Sequence, residues 1–332
     1  AQEPFRLGGP LLFSAWGAFC AQPAGAEFTE AGGPPPFLKE MPLKICSAAW
    51  QAGWQLPSAK KCDCELLCAT DVPVHQKVPF ILNGYRPEPE SPCSLFRTIF
   101  SLHNETGNMW THLLGFGYFV LVFAQLCQEI MLAEGREGLQ RDAVWVLALV
   151  ATTAFCLACS FSYHLCNCAG RSVKECMYRM DLAGIVALIG VSYFTGIALA
   201  FHCCPRVRKF YLFYAAGVVL ALAAPLVRAQ LADLTRHFII CAGLGLVPAV
   251  HFVCVSSAED VAIVVPYILT MFGCYGAGSW FFVQKWPERR WPGRFDLFGH
   301  SHQVWHMFVL LAAVSWVRGS IVMREHFGSL EC

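Results

Sequence analysis

The chain has 332 residues, of which 56% are hydrophobic and 14% are charged. Soluble domains carry about 25% charged residues, so this composition excludes an ordinary soluble protein. The formal net charge of +1 gives no sign of the strongly basic surface that nucleic acid requires. The apolar residues fall into runs of about 20, the length with which a helix crosses ~30 Å of hydrocarbon. These totals predict an integral membrane protein that contacts the lipid bilayer and has no nucleic-acid partner.

Residues 1–79 differ from the rest and are predicted to be a poorly ordered segment, because they are rich in Gly, Pro and Ala without a long periodic element. The apolar stretch from Leu11 to Cys20, followed by Ala24-Gly25-Ala26, resembles a signal peptide. The alternative is a chance apolar stretch in a tail. We favour the tail, because a cleaved leader would put the N-terminus outside, against the charge distribution described next.

Seven apolar spans follow, and they predict an all-α seven-helix transmembrane bundle. Every backbone group in lipid must be hydrogen-bonded within the protein, which favours helices over open strands. Lys and Arg are more frequent in the loops and span ends on the membrane face that also carries the N-terminus of the chain. Because the positively charged face is usually the cytoplasmic one, this predicts a cytoplasmic N-terminus and a C-terminus outside or in a lumen. We therefore divide the chain into a lead-in at 80–109, a transmembrane domain at 110–325 and a tail at 326–332. The predicted spans are 110–131, 142–165, 180–202, 209–228, 238–256, 261–284 and 302–322.

Ionisable side chains near the span ends are the main candidates for function, because such groups are costly at membrane depth. His164 ends the second predicted span, Asp181 opens the third, and His302 and His306 open the seventh. Since successive helices alternate in direction, these three span ends lie at one face of the membrane. With a cytoplasmic N-terminus, that face is the cytoplasmic one.

The spacing of these residues predicts a zinc site. His302 and His306 are four residues apart, which places two imidazoles on one helix face, and Ser160 and His164 repeat the spacing. Three imidazoles with one open position form the ligand set of catalytic zinc centres. Asp181 is the candidate general base, and Ser160 is a candidate hydrogen-bond donor to a substrate oxygen or to the metal-bound water.

Other histidines and thiols have simpler interpretations. His300 lies in the preceding loop, and Cys166 and Cys168 are reduced thiols near His164; each is a less favoured substitute ligand. His251, in mid-span, is predicted to form a helix–helix hydrogen bond. Four further histidines are predicted to be interfacial polar tips: His112, His202, His237 and His326.

Several motifs resemble the progestin and adipoQ receptor family. They are the segment from Leu102 to His112, Ser160-Phe161-Ser162-Tyr163-His164, Met180-Asp181-Leu182-Ala183-Gly184, Trp286-Pro287-Glu288-Arg289, Pro292-Gly293 and Ser301-His302-Gln303-Val304-Trp305-His306. The resemblance covers about residues 80–325. It implies seven helices, a cytoplasmic N-terminus and Zn²⁺ held by the three histidines, with Asp181 holding water. It also implies hydrolysis of ceramide or a related sphingolipid amide.

Within the family, Gly84-Tyr85-Arg86, Tyr163-His164-Leu165 and the segment from Gly299 to His306 look most similar to the third member. That resemblance implies an alternative function, a Golgi scaffold that tethers Raf kinase through its N-terminal region and keeps zinc for stability. The expected location is accordingly the Golgi membrane or the plasma membrane.

Overall fold

The computed structural model describes residues 66–132, 137–228 and 234–328. The regular secondary structure in these ranges is helical, apart from one isolated bridge between Leu67 and Tyr85, and residues 66–91 and 285–300 are mostly turns and irregular chain. The leader-like stretch from Leu11 to Cys20 lies outside the described residues. The helices are α1 (Pro92–Arg97), α2 (Thr106–Leu132), α3 (Glu137–Cys166), α4 (Arg171–Ala200), α5 (Pro205–Val227), α6 (Leu234–Gly243), α7 (Leu246–Val255), α8 (Ala258–Gln284) and α9 (Ser301–Gly328).

Seven membrane spans are confirmed in the described part of the chain. Six are the single helices α2, α3, α4, α5, α8 and α9, and the fifth span combines α6 and α7. All seven are long and apolar enough to cross a bilayer. The chain is therefore an integral multi-pass membrane protein, and its orientation stays a prediction.

Helices α3, α4 and α9 form the centre of the bundle. About half of the residues in their apolar stretches are buried, at 50%, 56% and 50%, against 22% or less in the other four spans. Helix α9 packs against α2, α3, α4 and α8, so it is surrounded on most sides. The three central helices are also those that carry every predicted site residue.

The predicted start of the third span at residue 180 is wrong, because α4 begins at Arg171. Its first turns carry the charged residues Arg171, Lys174 and Glu175. A span chosen by its hydropathy leaves these residues out, although their backbone is helical. Lys174 donates to the carbonyl oxygen of His75 at 2.6 Å, which ties this polar turn to the chain just before the lead-in. Asp181 consequently lies almost three turns inside α4, about 15 Å from its first residue.

The fifth span is broken between α6 and α7, where the sequence predicts one continuous helix. Pro248 has no N–H to donate to the carbonyl oxygen of Leu244 four residues earlier. That carbonyl instead accepts bonds from the backbone N–H of Val247 at 3.1 Å and from the hydroxyl of Tyr214 at 3.1 Å. Tyr193 likewise donates to the carbonyl oxygen of Cys241 at 2.7 Å. Tyrosines from neighbouring helices thus bind the carbonyls freed by the break.

The lead-in packs against the loop between α8 and α9. The carboxylate of Asp296 accepts hydrogen bonds from the backbone N–H groups of Leu82 and Asn83 at 3.0 and 2.8 Å. The backbone N–H of Asn104 donates to the carbonyl oxygen of Gly84 at 2.9 Å. Gly84 has a φ of +85°, a conformation that glycine adopts without strain. The bonds to Asp296 hold the two segments together at the histidine end of the bundle, and the bond between Asn104 and Gly84 closes the lead-in on itself.

Candidate metal centre

Three histidine side chains converge at one end of the bundle. His164 comes from the last turn of α3, and His302 and His306 from the first two turns of α9. One nitrogen from each ring lies within 4.8 Å of the other two. The Nε2 atoms of His164 and His302 are 3.2 Å apart, close to the separation of roughly 3.3 Å for two tetrahedral ligands at ~2.0–2.1 Å from one ion. The arrangement can hold a metal ion.

Hydrogen bonds on the opposite ring nitrogens orient two of these imidazoles. His164 Nδ1 lies 2.8 Å from Glu105 Oε2, and His306 Nδ1 lies 3.2 Å from the carbonyl oxygen of Asn108. Both partners accept hydrogen bonds, so each ring carries its proton on Nδ1 and has a lone pair on Nε2. A ligating histidine usually donates its other N–H to a carboxylate or carbonyl in this way.

Glu105 is the functional residue that inspection of the sequence missed. It is buried, and its Oε2 also accepts from Asn108 Nδ2 at 2.5 Å, while its Oε1 accepts from Asn167 Nδ2 at 2.8 Å. Burial alone favours the neutral acid, but the neighbouring His164 and the bond from Asn108 outweigh it and hold the pKa of Glu105 well below its usual value. Glu105 therefore supplies a buried negative charge beside the cluster. Its place in the motif from Leu102 to His112 was the available signal.

Arg86 fixes the end of α3. Its guanidinium donates to the carbonyl oxygens of His164 and Leu165 at 2.6 and 3.0 Å and to Asn167 Oδ1 at 2.9 Å. The last carbonyls of a helix have no partner within the helix and are commonly satisfied by basic side chains. Arg86 thereby holds the turn that carries His164.

Glu288 fixes the start of α9. The side chain is buried and accepts hydrogen bonds from the backbone N–H of Ser301, at 2.7 Å, and from the Ser301 hydroxyl. An acidic group at a helix N-terminus satisfies free N–H groups and the helix dipole. Two residues after Ser301, Gln303 Oε1 accepts from the backbone N–H of Gly299 at 2.7 Å. The motif residues around 286–303 therefore position His302 and His306.

Ser160 and Asp181 lie beside the cluster. Ser160 is buried one turn before His164, and its hydroxyl and the half-buried Asp181 carboxylate are within hydrogen-bonding reach. Asp181 is also close enough to His164 for a direct electrostatic interaction. The structure thus brings together all five predicted site residues, although three different helices supply them.

The less favoured substitute ligands lie outside this cluster, and His251 has a partner elsewhere in the bundle. The Nε2 atom of His300 lies 3.1 Å from the carbonyl oxygen of Asn104. Among the described residues, the group that could hold a metal does not include His300, Cys166 or Cys168. His251 Nδ1 lies 2.9 Å from the Tyr211 hydroxyl, which confirms the predicted bond between helices.

The prediction for His112 was wrong. Its ring is buried and stacks on that of His306, with centroids 3.7 Å apart and planes 9° apart. A single sequence cannot reveal this burial, because His112 opens an apolar span in the same way that an interfacial histidine does.

Comparison with known proteins assigns the chain to a family. Residues 100–317 match the model of the haemolysin-III related family, which is more than half of the chain and includes all three histidines. The chain belongs to the haemolysin-III related family. This match covers every span from α2 to most of α9, so the site described above lies inside the family domain.

Named relatives of the chain extend over most of its length. Heptahelical transmembrane protein 1 of Arabidopsis thaliana is 34% identical over a 285-residue alignment, which covers 80% of this chain and 83% of the relative. Progestin and adipoQ receptor family member 3 of Homo sapiens is 30% identical over 266 residues, covering 76% of this chain and 84% of the relative. The adiponectin receptor protein of Drosophila melanogaster is 28% identical over 273 residues, covering 80% and 58% respectively. The resemblance to progestin and adipoQ receptors predicted from the motifs is confirmed.

Proposed function

We propose that the protein is a zinc-dependent membrane hydrolase that cleaves lipid amides such as ceramide. The observation that carries this proposal is the convergence of three imidazole nitrogens beside a carboxylate and a hydroxyl. Three neutral histidines with room for a further ligand suit zinc, and two of the rings have their Nδ1 protons committed to Glu105 and Asn108. Zinc bound by His164, His302 and His306 would act as a Lewis acid on the amide carbonyl.

The remaining chemistry falls to Asp181 and Ser160. The carboxylate of Asp181 accepts a proton from the attacking water, whose oxygen forms a bond to the carbonyl carbon of the amide. The C–N bond then breaks, and Asp181 returns the proton to the leaving nitrogen, giving a fatty acid and a free amine. The Ser160 hydroxyl, which lies beside the Asp181 carboxylate, orients that carboxylate.

The test measures metal and turnover on the same samples. Purified full-length protein is assayed for bound zinc and for fatty acid released from ceramide, beside Asp181→Asn and the control Asp260→Asn. Asp260 pairs with His326 at 2.7 Å and belongs to α8, whose first turn lies at the end of the bundle remote from the histidines. We expect equal zinc in all three proteins and a loss of turnover of about 100-fold or more in Asp181→Asn alone. Zinc-loaded parent protein that releases no fatty acid contradicts the hydrolase.

The alternative function is a scaffold of the Golgi membrane that retains Raf kinase, with zinc stabilising the bundle. The similarity to progestin and adipoQ receptor family member 3 supports this alternative. Its test uses cells that express the full chain or a chain lacking residues 1–65, which keeps the bridge between Leu67 and Tyr85 intact. Kinase that leaves the Golgi membrane only with the shortened chain supports the scaffold. An unchanged kinase distribution in both cell lines contradicts it.

A further inference from the structure

The loop between α8 and α9 turns its acidic side chains inward and its basic side chains outward. Its two carboxylates are buried, where Glu288 binds the first turn of α9 and Asp296 binds backbone N–H groups of the lead-in. In contrast, Arg289, Arg290 and Arg294 are exposed. None of the residues that the structure describes forms an ion pair with these three arginines. The outer surface of the loop is therefore positively charged.

Lys285 adds a fourth cation where the loop begins. Its Nζ lies 3.9 Å from the ring centroid of Phe282 on α8, and a ring face attracts a cation without neutralising it. Four positive charges thus lie within the ten residues from Lys285 to Arg294, directly after a membrane span. Clusters of about four to eight Lys or Arg beside the cytoplasmic end of a span are typical of surfaces that bind anionic lipids. The histidine end, where this loop lies, is the predicted cytoplasmic face.

Exposed tryptophan rings place the loop at the edge of the bilayer. Trp280 belongs to α8 and is 54% exposed, so on a membrane span it faces lipid. Its ring centroid lies 6.5 Å from that of Trp286, which lies 6.5 Å from that of Trp291. The two loop tryptophans are 43% and 41% exposed. Because tryptophan prefers the level where hydrocarbon meets the headgroups, this series of rings carries the lipid-facing surface of α8 up to the arginines.

Arginine suits phosphate because its planar guanidinium donates two parallel hydrogen bonds to phosphate oxygens. Arg290 also has its Cζ 5.8 Å from the ring centroid of Trp291, so a cation and an interfacial ring are neighbours. An acidic protein segment would use the cations alone, whereas a phospholipid uses both the cations and the rings. Three guanidinium groups also match more negative charge than the single net charge of phosphatidylserine.

We propose that the loop between α8 and α9 binds a phospholipid with a multiply phosphorylated headgroup, a phosphatidylinositol phosphate. Arg289, Arg290 and Arg294 hold the headgroup phosphates, and Trp286 and Trp291 lie beside the glycerol and ester groups. This surface is separate from the three histidines and does not depend on the proposed hydrolase activity.

Native mass spectrometry of the purified full-length protein in detergent tests the surface. The probe is dioleoyl phosphatidylinositol 4,5-bisphosphate, titrated beside dioleoyl phosphatidylserine and dioleoyl phosphatidylcholine at the same concentrations. We expect the bisphosphate to bind most tightly. Replacing Arg289, Arg290 and Arg294 together by Gln should raise its Kd about 100-fold, because each basic residue near a membrane surface contributes a factor of about five. A parent protein that binds the bisphosphate no more tightly than phosphatidylserine overturns the proposal and leaves the surface to an acidic protein segment.

The matched control removes three cations from the opposite end of the bundle. Arg206, Arg208 and Lys209 lie in the first turns of α5, and replacing all three by Gln takes away the same charge. This control variant should bind the bisphosphate as the parent does. Equal weakening in the two triple variants would mean that net charge alone attracts the lipid, and it would overturn the assignment to this loop.

Free inositol 1,4,5-trisphosphate separates a membrane lipid from a soluble anion. It carries phosphates like those of the headgroup but lacks the glycerol and ester groups that the tryptophans contact, so it should displace the lipid only at a much higher concentration. Displacement at equal concentration overturns the proposal, because the loop then binds a soluble polyanion. If the triple variant does not fold, Arg289→Gln, Arg290→Gln and Arg294→Gln are measured singly, and each should raise the Kd about fivefold. An unchanged Kd in all three single variants also overturns the proposal.

Discussion

Replacement of Glu105 by glutamine should weaken metal binding without removing a ligand. Three donors face the two carboxylate oxygens: His164 Nδ1 at 2.8 Å and Asn108 Nδ2 at 2.5 Å on Oε2, and Asn167 Nδ2 at 2.8 Å on Oε1. A glutamine amide offers one oxygen and one NH₂ group, so one of the two positions must present N–H against N–H. The substitution also removes the negative charge that supports the His164 ligand.

The expected loss follows from the part that such carboxylates play. Mutation of a carboxylate that hydrogen-bonds a ligating histidine lowers metal affinity by about 10–100-fold, or about 1.4–2.7 kcal/mol. Glu105 is almost fully buried and has three donors, so we expect the Glu105→Gln variant to fall in the upper half of this range. The measurement is zinc content by elemental analysis, followed by competition with a chelator of known affinity.

The control for Glu105→Gln is Asp260→Asn, a second carboxylate paired with a histidine, His326, at 2.7 Å. It belongs to the end of the bundle remote from the three histidines and should leave zinc affinity unchanged. Thermal melting of the metal-free proteins shows whether either variant is misfolded. A zinc affinity of Glu105→Gln within twofold of the parent, in protein that melts normally, would refute the role of Glu105 in orienting His164.

Two further predictions concern the packing and charge of the segments around the histidine end. Gly107→Ala should lower the melting temperature by an amount corresponding to about 1–3 kcal/mol, because a Cβ there would lie 2.5 Å from the Gln303 side chain. The control is Gly117→Ala on the same helix, where a Cβ meets nothing within 4 Å, so this variant should be neutral or stabilising. Equal effects of the two substitutions on the melting temperature would contradict the packing of Gly107 against Gln303. Burial lowers the pKa of His103 from 6.5 to about 4. Between these two pH values the unfolded chain binds a proton on His103 and the folded chain does not. The free energy of unfolding should therefore fall by about 3 kcal/mol in total as the pH drops from 6.5 towards 4. Melting temperatures measured between pH 7 and pH 4 should show this loss in the parent and a smaller one in His103→Gln; identical pH profiles would rule out His103 as the source.

The sequence by itself determined the fold class and singled out the three histidines that are the candidate metal ligands. Seven apolar runs of membrane length leave helices as the structure that satisfies their backbone groups, and alternation of the helices puts His164, His302 and His306 at one end. The spacing of His302 and His306 then fixes their shared helix face. Each of these inferences depends only on distances along the chain or on the periodicity of a helix.

Only the tertiary structure decided which groups surround those ligands. Glu105 precedes His164 by 59 residues and contacts it because α2 and α3 are neighbours, and His112 stacks on His306 although 194 positions separate them. The approach of Asp181 to Ser160 and His164 also depends on side-chain packing between helices. A pattern of apolar and polar residues records that a position is in the membrane, but it does not record which neighbouring helix a side chain meets.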